Sequence, residues 1–214
     1  MTADSVGASE GVIKFRLSFR TAPPPRHPGL AELEGWRRLL HRLGMIGRAP
    51  NRYGGLAYGN VSLRTGAGRF LVSGTQTGGA SLLTDADYCR VESWNLVTHR
   101  LRASGPIRPS SEALSHAALY QADRSIGCVI HVHSPELWAA ARDGRLAIPV
   151  TPAELQYGTS ELAVSVAELA DARSAPVICM GGHEDGLLAY GEGPEAAATA
   201  LLRLLAGVLG AARA

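Results

Sequence analysis

The stretch Gly127-Cys128-Val129-Ile130-His131-Val132-His133-Ser134 reads as a short buried strand. β-Branched residues dominate it, and Gly127 and Ser134-Pro135 bracket it. Side chains alternate faces along a strand, so His131 and His133 leave the same side. Two imidazoles fixed next to each other on a rigid strand are a common way to hold a transition metal. The plainer alternative is a pair of core histidines satisfied by hydrogen bonds. The flanking sequence favours the metal. Upstream, Pro109-Ser110-Ser111-Glu112 opens a helix predicted over 109–122. Downstream, Gly181-Gly182-His183-Glu184-Asp185-Gly186 offers a third imidazole.

Working outward, the pattern after the strand gives a short helix at 135–143, an extended run at 147–150 and a helix at 159–173. A buried strand at 176–180 is expected to form a hairpin with one at 186–190. A last Ala/Leu helix covers 194–209 and has Pro194 at its start. Before the histidine strand, further strands are expected at 60–64, 69–73, 88–94 and 96–103. A helix at 30–43 places Leu30, Leu33, Trp36, Leu39, Leu40 and Leu43 at helical spacing. Residues 12–20 alternate: Ile13, Phe15, Leu17 and Phe19 on one face, Lys14, Arg16, Ser18 and Arg20 on the other. That is an edge strand with a basic solvent face. A Pro-rich linker follows at 21–29. The division is therefore a peripheral strand and linker over 1–29 and a catalytic domain over 30–214. Strands in the middle, with helices before, between and after, make an α/β protein: a mixed, largely antiparallel sheet covered on both faces. A doubly wound parallel sheet fits less well, because no Gly-x-Gly-x-x-Gly follows a first strand.

Composition narrows the function. Hydrophobic residues make up 46% of the 214 and charged residues 19%, enough for a sizeable core. A net charge of +2 without a Lys/Arg block gives no footprint for nucleic acid. Cys89, Cys128 and Cys179 are odd in number and well separated, so they read as buried thiols in a reducing compartment. The polar run 1–10 lacks the apolar core of a signal peptide, and no apolar run approaches transmembrane length. The expectation is a cytoplasmic protein with no membrane partner.

Two further stretches suggest an anion site. The strand at 69–73 runs into Gly74-Thr75-Gln76-Thr77-Gly78-Gly79, and such a turn lets backbone N–H groups and hydroxyls surround an anion. A plain hairpin needs glycine too. Ser110 or Ser111 is expected to cap its helix, with Glu112 in the first turn. A helix N-terminus carrying hydroxyls is also an anion site, although Ser-Ser-Glu equally suits capping alone.

In order, Gly59-Asn60-Val61-Ser62, Thr75-Gln76-Thr77-Gly78, Pro109-Ser110-Ser111-Glu112, His131-Val132-His133 and the surroundings of His183 resemble the class II aldolase/adducin family. The resemblance runs from about residue 30 to the C-terminus. It implies a three-layer αβα fold and a homotetramer with active sites at subunit interfaces. It implies Zn²⁺ on His131, His133 and His183, with Fe²⁺, Mn²⁺ or Co²⁺ as alternatives, and Glu112 as the acid/base residue. Asn60, Thr77, Gly78, Ser110 and Ser111 would line a substrate phosphate pocket. The implied activity is a metal-dependent lyase acting on a small hydroxy-carbonyl substrate, including sugar phosphates, through an enediolate. Epimerisation and dehydration share that first step.

The chain departs from the family in three places. It adds residues 12–29, and it has Gln76 where proline is frequent. It is also shorter between His133 and Gly158, where the sugar-phosphate aldolases carry a tyrosine that protonates the departing alkoxide. Tyr157 is the tyrosine available there.

Three neutral imidazoles leave Zn²⁺ an open position, as a catalytic site requires. The metal polarises a carbonyl and a neighbouring carboxylate moves the proton. Two other readings use the same residues. His131, His133 and a carboxylate could form an iron oxygenase triad, with Glu136 at cupin-like spacing. A non-catalytic, adducin-like binding protein is the other.

Overall fold

The computed structural model describes residues 12–171 and 175–211, so the polar run 1–10 and the expected helix end at 172–173 lie outside it. The strands are β1 Arg16–Thr21, β2 Gly47–Arg48, β3 Ala57–Tyr58, β4 Asn60–Gly66 and β5 Arg69–Ser73. They continue as β6 Tyr88–Asn95, β7 Arg100–Gly105, β8 Cys128–His133, β9 Val177–Cys179 and β10 Gly186–Gly191. The helices are α1 Leu30–Arg42, α2 Ala113–Ala122, α3 Pro135–Arg142, α4 Ser160–Asp171 and α5 Pro194–Ala211.

Eight strands form one sheet in the order β1-β7-β6-β5-β4-β8-β10-β9. Neighbours are antiparallel except the edge pair β1–β7, which is parallel. The mixed, largely antiparallel sheet expected from the sequence is thus the one observed, and so is the β9–β10 hairpin. β8 lies inside, between β4 and β10, and every one of its residues is buried.

The alternation along β8 divides the helices into two layers. Cys128, Ile130 and Val132 pack with Leu33 and Leu40 of α1, Leu137 of α3 and Ala197, Ala198 and Leu201 of α5. Val129 faces the opposite layer, where Ala113, Ala117 and Leu119 of α2 meet Leu162 and Val166 of α4. Fully buried leucines such as Leu33 and Leu40 each contribute roughly 1.5–3 kcal/mol. By the same parity, His131 and His133 emerge on the side of α2 and α4. Cys89, Cys128 and Cys179 are free, buried thiols.

Four differences from the sequence expectations have physical causes. First, α1 is rotated. Leu39 and Leu43 are 39% and 50% exposed, whereas Arg37 is 1% exposed and Glu34 9%. Arg37 Nε and Nη2 donate to the two oxygens of Glu34 at 2.6 and 2.7 Å, and Nη1 donates to Ala80 O. Glu34 also accepts from Leu83 N–H and the Tyr88 hydroxyl. A buried ion pair with its remaining donors and acceptors satisfied displaces the apolar stripe and pins the segment around 80–83. Second, α2 begins at Ala113 rather than at 109. Glu112 occupies the N-cap position with φ −88° and ψ 2°, and its side chain makes no cap hydrogen bond. Ser110 Oγ accepts from Glu112 N–H at 3.3 Å. Third, β1 starts at Arg16, so Lys14 precedes the strand and is released from its alternation. Fourth, α5 reaches the length and apolar composition of a membrane span, at 18 residues and mean hydropathy 1.3. Its buried residues Ala197, Ala198 and Leu201 pack with the strand residues of the sheet.

Candidate active site

β8 delivers His131 and His133, and the tight turn between β9 and β10 delivers His183. In that turn His183 N–H donates to Met180 O and Gly186 N–H donates to His183 O. An added Cβ on Gly186 would lie 2.3 Å from the His183 ring, so only glycine lets the imidazole fold back over the strand end. The Nε2 atoms of His131 and His133 are 3.2 Å apart, and those of His133 and His183 are 3.1 Å apart. One ligand atom from each lies within 4.8 Å of the others. Zn–N bonds of about 2.0–2.1 Å in a tetrahedron separate nitrogens by about 3.3 Å. The donor set therefore fits a divalent transition metal. His131 Nδ1 faces Leu187 O at 3.0 Å, which fixes the tautomer and turns Nε2 toward the cluster.

Burial holds all three imidazoles neutral, the form that binds metal. The pKa of His131 is pushed down to about 4. Those of His133 and His183 are driven well below the ordinary value by burial and then by neighbouring imidazoles. His116, on α2, is pushed down to about 3 by burial and by the nearby His131.

Glu112 stands outside the three-histidine cluster and is 1% exposed. Ser115 Oγ donates to its Oε2 at 3.1 Å, while Oε1 has no hydrogen bond among the described residues. Burial raises its pKa to about 7, against smaller lowering by Ser115 and the Lys14 charge. A carboxyl titrating near neutrality can both take and return a proton. Asn60 Oδ1 and His116 Nε2 are likewise buried without a hydrogen bond among the described residues. Buried polar atoms are rarely left so.

Of the expected anion residues, Ser110 and the strand that carries Asn60 meet at Ser73. Ser110 N–H donates to Ser73 O, and Val61 N–H to Ser73 Oγ at 3.1 Å. Asn60 is the sheet partner of His131. Gly78 needs its hydrogen side chain, because an added Cβ would lie 2.3 Å from Tyr58 O. The Thr77 hydroxyl closes its own turn onto Gly74 O at 2.8 Å. Gln76 has φ +61°, which proline cannot adopt, and its Oε1 accepts from Ala57 N–H at 3.0 Å. Gln76 thus ties the loop to β3.

Arg52, Tyr53 and Tyr58, not singled out from the sequence, lie around His133. The ring centroids of Tyr53 and His133 are 4.4 Å apart, and Tyr58 lies 5.3 Å from the same histidine. The Tyr53 hydroxyl donates to Asp185 Oδ2 at 2.5 Å, and Arg52 bonds both Asp185 and Tyr53. Tyr53 and Asp185 have φ of +48° and +61°, a left-handed backbone that non-glycine residues adopt at some cost. Tyr157 is buried with its ring 5.0 Å from that of His183. Glu136 is exposed and accepts from Ser134 Oγ, so it does not complete an oxygenase triad.

These imidazoles give a pH dependence. The unfolded chain binds histidine protons near pH 6.5, and the folded one only well below that. The metal-free fold should therefore lose stability as pH falls from about 6.5 toward about 4. Glu112 acts oppositely: its contribution is present below the unfolded carboxyl value and is lost as pH rises through about 7. Four histidines outweigh one carboxyl, so the urea midpoint of metal-free protein should be lower at about pH 5 than at about pH 7.5. Equal midpoints would contradict a neutral cluster.

An αβα sheet protein in which three buried imidazoles converge has the donors to hold a divalent metal ion. The chain belongs to the class II aldolase and adducin family: residues 49–205 match the profile of its N-terminal domain. A segment of 42 residues is 48% identical to the methylthioribulose-1-phosphate dehydratase of Xanthomonas euvesicatoria pv. vesicatoria. That match spans 20% of this chain and 19% of the dehydratase. The L-fuculose-1-phosphate aldolase of Thermus thermophilus superposes with TM-score 0.62 at 21% identity, over 84% of this chain and 90% of that one. A sugar-phosphate aldolase of Thermotoga maritima gives TM-score 0.66 at 13% identity, over 86% and 94%. At these identities the likeness to the two structures is one of fold.

Proposed function

We propose that the protein is a metal-dependent lyase acting on a small hydroxy-carbonyl compound, with His131, His133 and His183 holding the metal and Glu112 moving the proton. The observations that carry this are three convergent neutral imidazoles and a buried Glu112 carboxyl with one oxygen unpaired, the Lys14 charge acting on both Glu112 and His183. Zn²⁺ suits the all-nitrogen donor set and would act as a Lewis acid on a substrate carbonyl. In cleavage, Glu112 Oε1 takes the proton of the hydroxyl on the carbon that departs as an aldehyde and, once the carbon–carbon bond has broken, returns it to the enediolate carbon. In dehydration it takes the proton from the carbon next to the carbonyl and returns it to the departing hydroxide as water. Ser115 keeps the other oxygen oriented. Asn60, Thr77, Gly78, Ser110 and Ser111 form the substrate side, with hydroxyls and N–H groups for an anionic substituent. Tyr53, Tyr58 and Tyr157 keep bulk water from the histidines. The homotetrameric state of the family is part of the proposal.

Aldol-type carbon–carbon cleavage is the first reading. Loss of water is the second, favoured by the local identity to a dehydratase. Metal-loaded protein should be incubated with hydroxy-carbonyl compounds, phosphorylated and not, and the products analysed by mass spectrometry. Two carbonyl fragments mark cleavage, and a product lighter by one water marks dehydration. No conversion of any compound would contradict the proposal.

A further inference from the structure

The segment ahead of β1 lies outside the family match and yet reaches the site. Lys14 Nζ sits 3.9 Å from the centroid of the Tyr157 ring, which also lies against the ring of His183. The position is well held. Phe15, the next residue, is 5% exposed and packs edge-on against His99. Arg16 N–H donates to His99 O at 2.8 Å, and the His99 ring faces Gly158 O at 3.1 Å. Gly158 lies against the Lys14 stem, with Cβ, Cγ and Cδ about 3.6–3.7 Å from where its own Cβ would be. The lysine forms no ion pair with any described carboxylate, and its charge is felt by both Glu112 and His183.

A cation stationed there is electrostatically odd. Three neutral imidazoles cancel none of a divalent ion's charge, and Arg52 is already matched by Asp185. With a divalent ion bound, Lys14 half-buried and Glu112 as the remaining carboxyl, the site would carry an excess of about two to three positive charges. Such an arrangement is stable with an anion present and repulsive without one.

We infer that Lys14 is a substrate-binding residue which receives an anionic group, carboxylate or phosphate, of the hydroxy-carbonyl substrate at the His183–Tyr157 wall. The N-terminal segment is then part of the active site rather than an appendage. This rests on the function proposed above and narrows its substrate class to anions. The cation–π contact keeps the ammonium extended over Tyr157, so the anion finds the charge already in place.

The test is calorimetric binding of 2-phosphoglycolate, malate and neutral hydroxyacetone to metal-loaded and metal-free protein. It compares wild type with Lys14→Met, which keeps the stem, and Lys14→Arg, which keeps the charge. At least one of the two anions should bind Lys14→Met about 10- to 100-fold more weakly, as expected for losing a charge-assisted hydrogen bond. Lys14→Arg should recover most of that loss, and hydroxyacetone should be unaffected. The anion showing the larger loss identifies which group Lys14 reads. Unchanged affinity of both anions in Lys14→Met would overturn the inference, as would failure of both to bind wild type. Anion affinity is read independently of turnover. An inactive protein that still loses anion binding on Lys14→Met would count against the proposed lyase alone, and an active one with unchanged affinity against Lys14 alone.

Discussion

Glu112→Gln should lower turnover about 10²- to 10⁴-fold while the protein stays folded and keeps its metal. Gln preserves the volume and can still accept from Ser115 Oγ, the hydrogen bond that Glu112 makes with Oε2. It cannot take a proton. A role in capping is ruled out as the main one by the geometry, because the Glu112 side chain makes no cap hydrogen bond to α2. Relieving a carboxyl that burial holds at a pKa of about 7 should leave the variant at least as stable above neutral pH. Turnover and metal content measured on one preparation separate chemistry from folding. Near-wild-type turnover in the Gln variant would remove Glu112 from the mechanism.

His183→Ala and His133→Ala should each lose most of the bound metal, with affinity falling by at least the 10- to 100-fold seen when even an outer partner of a ligand is changed. The effect should be largest at His133, whose Nε2 lies 3.2 and 3.1 Å from those of the other two histidines. Metal analysis after dialysis against a weak chelator reads this directly. Thermal unfolding with and without added Zn²⁺ reads it again, since an ion bound only by the folded state raises the midpoint. Full metal content in His183→Ala would exclude that residue and leave a two-histidine site.

The part of this site built on regular periodicity was legible in the sequence. A two-residue repeat puts His131 and His133 on one face of any strand, and β8 required nothing else. His183 was legible through its glycines, which make the tight turn possible. The layers followed from strands in the middle of the chain and apolar helices around them. What escaped depends on contacts distant in sequence. Arg37 counted as a polar helix position until Glu34, Tyr88, Leu83 and Ala80 were brought around it. Tyr53 and Asp185 meet across 132 residues, both in left-handed backbone that residue-type preference does not foresee. Lys14 was placed on the solvent face of an alternating strand. The strand starts two residues later, and the parallel β1–β7 pairing, joined to His99 and Gly158, decides where the lysine goes. No local pattern encodes that pairing.

The central claim is that Glu112 carries the proton to and from the carbon beside a carbonyl in a compound held at the three-histidine site. Carbon-bound hydrogen exchange in D₂O reports that transfer, in the carbonyl fragment for cleavage and in the substrate for dehydration. Metal-loaded wild type should exchange that hydrogen in a compound from the panel. Glu112→Gln at equal metal content should exchange it about 10²- to 10⁴-fold more slowly. Exchange at the wild-type rate in Glu112→Gln would contradict the account.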